Sequence, residues 1–323
     1  MENTVFKILS DMSEELNYQQ LEKLQQVLLA RLGVEPPKDE KVLSNNDYLD
    51  FFIAAKRVEG CTERTVEYYR TTIEKMLLEV KVPVRRVTTE ILRNYLTEYQ
   101  MRNNCSKVTI DNVRRNLSSF FSWLEDEDYI IKSPIRRIHK VKTGTVVKET
   151  LTDEQIELLR DGCNCVRDLA IIDLLYSTGM RVGELCNLDM DDINFNEREC
   201  IVYGKGNKER RVYFDAKAKL HLERYLEQRT DTNVALFVTL DKPYERLSIH
   251  AVEQRLRMLG KELNINKVHP HKFRRSMATK AIDKGMPIEQ VQKLLGHQQI
   301  DTTMHYAMVN QNNVKNSHRK YIA

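Results

Sequence analysis

Apolar residues recur every three or four positions through most of this 323-residue chain. Eleven glycines and seven prolines are far fewer than the average usage of about 12% of residues, so little interrupts the pattern. A period of three to four is typical of amphipathic α-helices. The chain is therefore predicted to be mainly α. In residues 193–215, β-branched and aromatic residues flank the sequence GKGN, which predicts two short strands joined by a turn.

The length of the chain predicts two domains. No apolar run approaches the roughly 18 residues of a membrane span, and the first residues lack the basic and apolar blocks of a signal peptide. We therefore expect no membrane association and a cytoplasmic location. The six cysteines form no Cys-x-x-Cys pair, which favours reduced thiols over a zinc or redox motif. A net charge of +4 is too small to identify a nucleic-acid-binding protein by itself.

Residues 1–42 form an acidic, leucine-rich extension with a possible break near Asn17 and Tyr18. Two adjacent prolines among charged residues predict that its helix ends in a linker at residues 33–42. The extension is interpreted either as a helix for a partner or for self-association, or as a helix that folds back on its own protein. Both interpretations stay open at this point.

The rest of the chain divides into three predicted segments. Residues 43–130 contain four amphipathic stretches with short connections, which predict a compact helical bundle. Residues 131–150 are basic and lack apolar periodicity, which predicts a linker. Residues 151–323 return to a mostly helical pattern and form the second predicted domain. Three aromatic residues of the fourth stretch are assigned to the core rather than to base stacking: Phe120, Phe121 and Trp123.

Four short motifs place polar residues beside predicted helix ends or turns: TGMRVGEL, YGKGNKERR, HPHKFRR and LLGHQQIDTTMHY. Two arginines bind a phosphodiester at two points and stay charged at any working pH, and a histidine exchanges a proton near neutrality. A lysine reaches a leaving oxygen, and a phenol acts as a nucleophile. The motifs together predict a phosphate-handling site. Its candidate residues are Arg181, Glu184, Lys205, His271, Arg274, His297 and Tyr306.

A metal site is the alternative use of the histidines, because imidazoles are common ligands. The candidates are His269, His271, His297 and His305. The sequence His-Pro-His cannot present two ligands one helical turn apart, and no carboxylate lies at a familiar ligand offset. We therefore expect no metal site.

Taken together, the motifs resemble those of the tyrosine recombinases, also called the phage integrase family, and especially its Xer-like and transposon-borne members. The resemblance covers about residues 45–310. It implies an N-terminal helical core-binding domain of the SAM-like type, followed by a mostly α catalytic domain with a small β-hairpin or sheet. One departure is Arg275, where many relatives have histidine. We expect this arginine to change the packing or to add a phosphate contact.

The resemblance implies that Tyr306 attacks a DNA phosphate and forms a 3′-phosphotyrosyl bond, leaving a free 5′-hydroxyl. It also implies that the reaction needs no ATP, metal or other cofactor. The roles implied for the other residues are transition-state binding for Arg181, Arg274 and His297, general base for His271, general acid for Lys205, and support of Arg181 for Glu184.

The implied substrate is double-stranded DNA carrying a recombination site. The implied assembly is four protomers on two sites, formed by copies of this chain or with a paired recombinase. Integration or excision of a mobile element and Xer-like resolution both fit. A type IB topoisomerase-like strand transferase and a DNA-binding protein that does not cut are the alternatives. Expected DNA contacts are Lys107, Arg114, Arg115, Lys208, Arg210 and Arg275.

Overall fold

The computed structural model describes residues 2–12, 15–16, 18–32, 43–142, 149–204, 209–297, 299–300 and 303–304. The chain divides into two units, Met1–Thr145 and Val146–Ala323. Three sequence predictions lie outside the described residues: the linker at 33–42, the turn at 205–208 and most of the last helix, which is predicted at 302–309. Within the described part of the chain, no helix is both long and apolar enough to cross a membrane.

The first unit is helical. Polar residues cap the helices of its bundle: Ser44, Thr62, Thr88 and Ser106 each accept a hydrogen bond from the backbone N–H three residues further on. The four predicted helices are present, and Phe120, Phe121 and Trp123 are buried in the bundle core as predicted. The helices are α1 (Glu2–Met12), α2 (Tyr18–Arg31), α3 (Asn45–Val58), α4 (Glu63–Val80), α5 (Thr89–Asn103) and α6 (Lys107–Asp126).

Helices α1 and α2 form the N-terminal extension and pack against each other. The predicted break falls between the end of α1 and the start of α2. Val5, Leu9 and Leu21 are buried between the two helices, and Ile131 packs against the same cluster. Because Ile131 follows the bundle in sequence, the extension contacts its own unit. This arrangement agrees with the interpretation in which the extension folds back on its own protein.

Part of the predicted linker packs on the bundle. Ile135 is buried in the bundle core. The hydroxyl of Thr89 donates a hydrogen bond of 2.6 Å to the carbonyl oxygen of Pro134, and the backbone N–H of Val141 donates one of 3.0 Å to the carboxylate of Asp111. Ile138 also packs against this core. Ile131, Ile135 and Ile138 lie three or four positions apart, so a short apolar spacing was present among the basic residues, and the linker prediction overlooked it.

The second unit is also mainly helical. Its helix α8 is central and packs against both α10 and α12. Thr152 and Gln155 form the predicted capping box at the start of α7. The helices are α7 (Asp153–Asp161), α8 (Val166–Thr178), α9 (Val182–Asn187), α10 (Ala216–Glu227), α11 (Ile249–Glu262), α12 (Pro270–Asp283) and α13 (Ile288–Leu295).

A small antiparallel sheet in the order β1-β2-β3 lies beside these helices. Its strands are β1 (Ile193–Asn194), β2 (Glu199–Tyr203) and β3 (Glu209–Tyr213). The two predicted strands pair with Cys200 opposite Val212. The structure adds β1, a strand of two residues in which Ile193 pairs with Cys200. Such a short strand shows no alternation that a sequence pattern could reveal.

Candidate active site

Arg181 and Glu184 lie at the start of α9, just after the turn that ends α8. One oxygen of the Glu184 carboxylate accepts a hydrogen bond of 2.7 Å from the backbone N–H of Arg181. The other accepts one of 2.9 Å from Nη1 of the Arg181 side chain. The Glu184 side chain is only 4% exposed, whereas that of Arg181 is 37% exposed. A buried carboxylate therefore holds a guanidinium that is open to solvent.

Arg210 on β3 binds the same carboxylate from the other side. Its Nη1 and Nη2 donate hydrogen bonds of 2.7 and 2.6 Å to the two oxygens of Glu184. Its Nε donates one of 3.1 Å to the carbonyl oxygen of Leu294. Burial by itself would raise the pKa of Glu184, but the hydrogen bonds from Arg210 and Arg181 hold it below its ordinary value. Glu184 is therefore ionised at neutral pH.

Arg274 on α12 is buried, with 3% of the residue exposed. Its Nη1 donates a hydrogen bond of 2.7 Å to the carbonyl oxygen of Gly179, which follows α8. Its Nη2 donates one of 2.6 Å to the carbonyl oxygen of Leu295, at the end of α13. Carbonyl groups at helix C-termini lack intrahelical partners and carry partial negative charge. Arg274 thus joins the ends of two helices at the site.

His297 follows α13, and its Nδ1 lies 2.8 Å from the hydroxyl oxygen of Thr303. Burial, together with the charges of Arg274, Arg181 and Arg210, lowers the pKa of His297 to about 4. The ring is therefore neutral at physiological pH. When the Thr303 hydroxyl donates to Nδ1, the ring proton lies on Nε2, which makes Nε2 the donor nitrogen of the ring.

His271 lies in the first turn of α12, three residues before Arg274, and is exposed to solvent. Partial desolvation and the positive charges of Arg274, Arg181 and Arg275 lower its pKa. A neutral imidazole accepts a proton, so His271 has the protonation state of a general base.

The structure brings five of the seven candidate residues of the motifs into one region of the second unit. Lys205 and Tyr306, the other two, lie outside the described residues, as do Lys208 and His305. Two arginines in one place favour binding of an anion. Two neutral histidines beside them can exchange protons with a bound substrate. Within the described ranges, no group of three or more histidine, cysteine or acidic residues is arranged to hold a metal ion. The five residues are Arg181, Glu184, His271, Arg274 and His297.

The expected DNA contacts differ in exposure. Lys107 is exposed at the start of α6. The Arg115 side chain is 64% exposed, whereas that of Arg114 is only 13% exposed and donates a 2.9 Å hydrogen bond to Asp111. Nη2 of Arg275 donates a hydrogen bond of 3.0 Å to the carbonyl oxygen of Glu149. Lys107 and Arg115 are therefore the more accessible members of this group.

The contact between Arg210 and Glu184 was missed from sequence, where Arg210 is expected to contact DNA. Its position lends no support to that expectation, because its guanidinium donates hydrogen bonds to Glu184 and Leu294 of its own protein. A signal was present: side chains alternate between the faces of a strand. Arg210 lies two residues before Val212, which is buried, so alternation places Arg210 on the inward face. Arg211 lies between them on the outward face.

Comparisons with known proteins identify the family of this chain. Residues 149–313 match the family described as "Phage integrase family", and residues 48–131 match "Phage integrase, N-terminal SAM-like domain". The tyrosine recombinase XerA of Pyrococcus furiosus is 32% identical over 283 residues, covering 85% of this chain and 94% of the relative. The tyrosine recombinase XerC of Thermodesulfovibrio yellowstonii is 31% identical over 273 residues, covering 80% of this chain and 90% of the relative.

A solved structure shows the same fold. The crystal structure of the XerH site-specific recombinase bound to a palindromic difH substrate has a TM-score of 0.69 and 18% sequence identity, and the match covers 99% of this chain and 95% of that one. The family matches span both units, and the motif residues of the second unit converge on one site. The chain therefore belongs to the phage integrase family and is a tyrosine recombinase.

Proposed function

We propose that this chain is a site-specific recombinase that cleaves and rejoins DNA strands through a 3′-phosphotyrosyl intermediate. The observation that carries the proposal is the convergence of Arg181, Arg274 and a neutral His297 on one region. Each supplies N–H donors, and two of them carry a fixed positive charge. Such a set suits a phosphate whose oxygens gain negative charge in the transition state.

In the proposed mechanism, the phenol oxygen of Tyr306 attacks the scissile phosphate and its proton passes to His271. The bond between phosphorus and the 5′-oxygen breaks, and Lys205 protonates that oxygen. Arg181, Arg274 and His297 stabilise the charge that develops on the phosphate. The 5′-hydroxyl of another strand then attacks the phosphotyrosine and releases Tyr306. Because the phosphotyrosyl bond replaces the phosphodiester bond, the cycle needs no ATP. The two arginines supply the positive charge that a metal ion supplies in other phosphoryl-transfer enzymes.

The proposed partner is double-stranded DNA carrying the recombination site. Each protomer has one nucleophilic tyrosine and cuts one strand, so exchange between two duplexes takes four protomers on two sites. These are copies of this chain or include a paired recombinase. Lys107 and Arg115, which are exposed, are proposed to contact DNA phosphates. Because the substrate is cellular DNA, we also propose a cytoplasmic location.

The test is to capture the DNA that becomes covalently attached to the protein. Cells carrying the gene in its own DNA context are lysed in denaturant with EDTA, and the attached DNA is sequenced. We expect adducts at a few discrete sites, and no adducts from Tyr306→Phe, because phenylalanine lacks the attacking oxygen.

Each result separates the candidates. Adducts scattered over the DNA would favour a topoisomerase-like strand transferase. Specific binding without adducts would favour a DNA-binding protein that does not cut. Adducts that persist in Tyr306→Phe would contradict the assignment of the nucleophile. Adducts at the junction of a mobile element indicate integration or excision, and adducts at one chromosomal site indicate Xer-like resolution.

A further inference from the structure

A single carboxylate links two arginines at the centre of the site. Glu184 accepts one side-chain hydrogen bond from Arg181 and two from Arg210. The Arg210 side chain is 12% exposed and that of Glu184 is 4% exposed, whereas that of Arg181 is 37% exposed. The two-point pair between Arg210 and Glu184 is therefore the buried half of the cluster, and Arg181 is the accessible half.

The charges of this cluster determine how much net positive charge Arg181 presents to a phosphate. Two guanidinium groups and one carboxylate leave a net charge of +1, located on the side that faces solvent. If Arg210 were absent, Glu184 would pair with Arg181 alone and the net charge would be zero. Charge pairs inside a protein are screened less than pairs in water. The presence of Arg210 therefore decides whether Arg181 keeps positive charge for its ligand.

Arg210 also contacts the chain that leads to His297. Its Nε donates to the carbonyl oxygen of Leu294. A Cβ atom placed on Gly296 would lie 2.9 Å from Cδ of Arg210, so the arginine side chain crosses close to the backbone of this glycine. One guanidinium thus spans from the carboxylate that holds Arg181 to the turn that precedes His297.

We propose that Arg210 is a positioning residue of the recombination reaction, and not a DNA contact. It takes up the charge of Glu184 so that Arg181 keeps its positive charge for the scissile phosphate, and it fixes the turn before His297. This inference rests on the proposed function. It extends it by assigning a role in strand cleavage to a residue that does not touch the DNA.

Strand cleavage and DNA affinity are measured separately on a nicked duplex that carries the site recovered from the covalent adducts. Covalent protein–DNA complex is followed in single turnover at saturating DNA, and affinity is followed as a function of salt. Arg210→Gln is expected to slow covalent complex formation by about 100-fold, the size of the loss when one transition-state donor is removed. Its affinity is expected to keep the wild-type salt dependence, whereas loss of a phosphate contact lowers the salt slope by about 1.

A second substitution separates the charge argument from a simple bracing role. Glu184→Gln in the wild-type background is expected to slow cleavage, because two arginines then lose their common partner. The same change added to Arg210→Gln is expected to speed cleavage about tenfold, because Arg181 is no longer neutralised. If Arg210 only braces the fold, the two losses add. Additive losses would overturn the proposal.

Arg211→Gln is the matched control, because it makes the same change one residue further on. The Arg211 side chain is 61% exposed and pairs with Glu199 on the outer face of the sheet, so covalent complex formation is expected at the wild-type rate. Arg210→Lys, which keeps the charge but not the two-point geometry, is expected to be intermediate. A reduced salt slope in Arg210→Gln, or cleavage at the wild-type rate, would overturn the inference. Absence of adducts with the wild-type protein would instead contradict the proposed function itself.

Discussion

The protonation states of the two histidines follow from burial and from the arginines beside them. Burial lowers the pKa of both His271 and His297 most, and the charges of Arg274 and Arg181 lower it further. A desolvated imidazole near fixed positive charges resists gaining a charge of its own. Both rings are therefore neutral at pH 7. A neutral His271 has the protonation state that its proposed role as general base requires, and a neutral His297 donates through one nitrogen only.

The pH dependence of cleavage tests this arrangement. Because the pKa of each histidine lies below its ordinary value of about 6.5, lowering the pH from about 8 to about 7 leaves both rings mainly neutral. We expect the single-turnover rate of covalent complex formation to stay nearly constant over this range and to fall only at lower pH, as the first ring gains a proton. DNA binding measured at each pH is the control. A midpoint at or above about 6.5 would show that the arginines do not lower the relevant pKa.

The motif residues could be predicted from sequence because each motif combines a residue type with a helix end or a turn. Arg181, His271 and His297 were identified in this way. The contact between Arg210 and Glu184 could not be predicted from either motif, since the two residues are 26 positions apart in sequence. The pairing of β3 with β2 and the packing of α9 against β2 bring the two side chains together. Local sequence patterns therefore do not predict contacts between separate helices and strands.

At the scale of elements, the site is built from the ends of helices. Gly179 ends α8 in the left-handed conformation, with φ of 63°, and its carbonyl oxygen accepts a hydrogen bond from Arg274. Glycine adopts this conformation without steric cost. Its environment is also crowded, because a Cβ atom there would lie 2.0 Å from Cε of Met277 and 3.2 Å from Cδ2 of Leu295.

Substitution of Gly179 by alanine is expected to reduce stability and strand cleavage together. The left-handed conformation costs a residue with a Cβ about 1 kcal/mol. The overlap with Cε of Met277 adds less, because that atom is the far end of a flexible side chain that can move aside. A shift of the backbone at residue 179 also weakens the hydrogen bond that its carbonyl oxygen accepts from Arg274. Thermal unfolding followed by circular dichroism measures the first effect, and single-turnover cleavage measures the second.

Gly285→Ala is the matched control for this prediction. Gly285 has φ of 93°, but no atom of the residues that the structure describes lies within 4 Å of a Cβ placed there, so only the cost of the backbone conformation applies. Gly285→Ala is therefore expected to destabilise the protein less than Gly179→Ala and to leave cleavage unchanged. Equal losses from the two substitutions would show that crowding at the end of α8 contributes nothing.

Element bounds could be predicted where a cap or a period was present, as at Thr152 and Gly179. The segment around Ile135 gave only a weak signal of this kind, because its few apolar residues stand among basic ones, although Ile135 and Ile138 both pack on the bundle core. The strand β1 lacked one because it is only two residues long. In both cases, the structure depends on pairing with residues far away in sequence.

At the scale of the whole molecule, each unit encloses its own core. The buried cluster of the helical bundle lies between Tyr48 and Ile135, and the main cluster of the second unit lies between Leu151 and Phe273. Among the residues that the structure describes, neither cluster draws a buried residue from the other unit. A core that is complete within one stretch of chain supports independent folding of that stretch.

We therefore expect Met1–Thr145 and Val146–Ala323, expressed as separate fragments, each to unfold in one cooperative transition. Circular dichroism with increasing temperature or urea is the measurement. Phe120 is fully buried, so Phe120→Ala is expected to destabilise the first fragment by about 3–5 kcal/mol. Phe51→Ala, at a position that is 45% exposed, is the control and is expected to cost much less. A first fragment that loses its structure gradually, without a transition that Phe120→Ala shifts, would show that the bundle core depends on the rest of the chain.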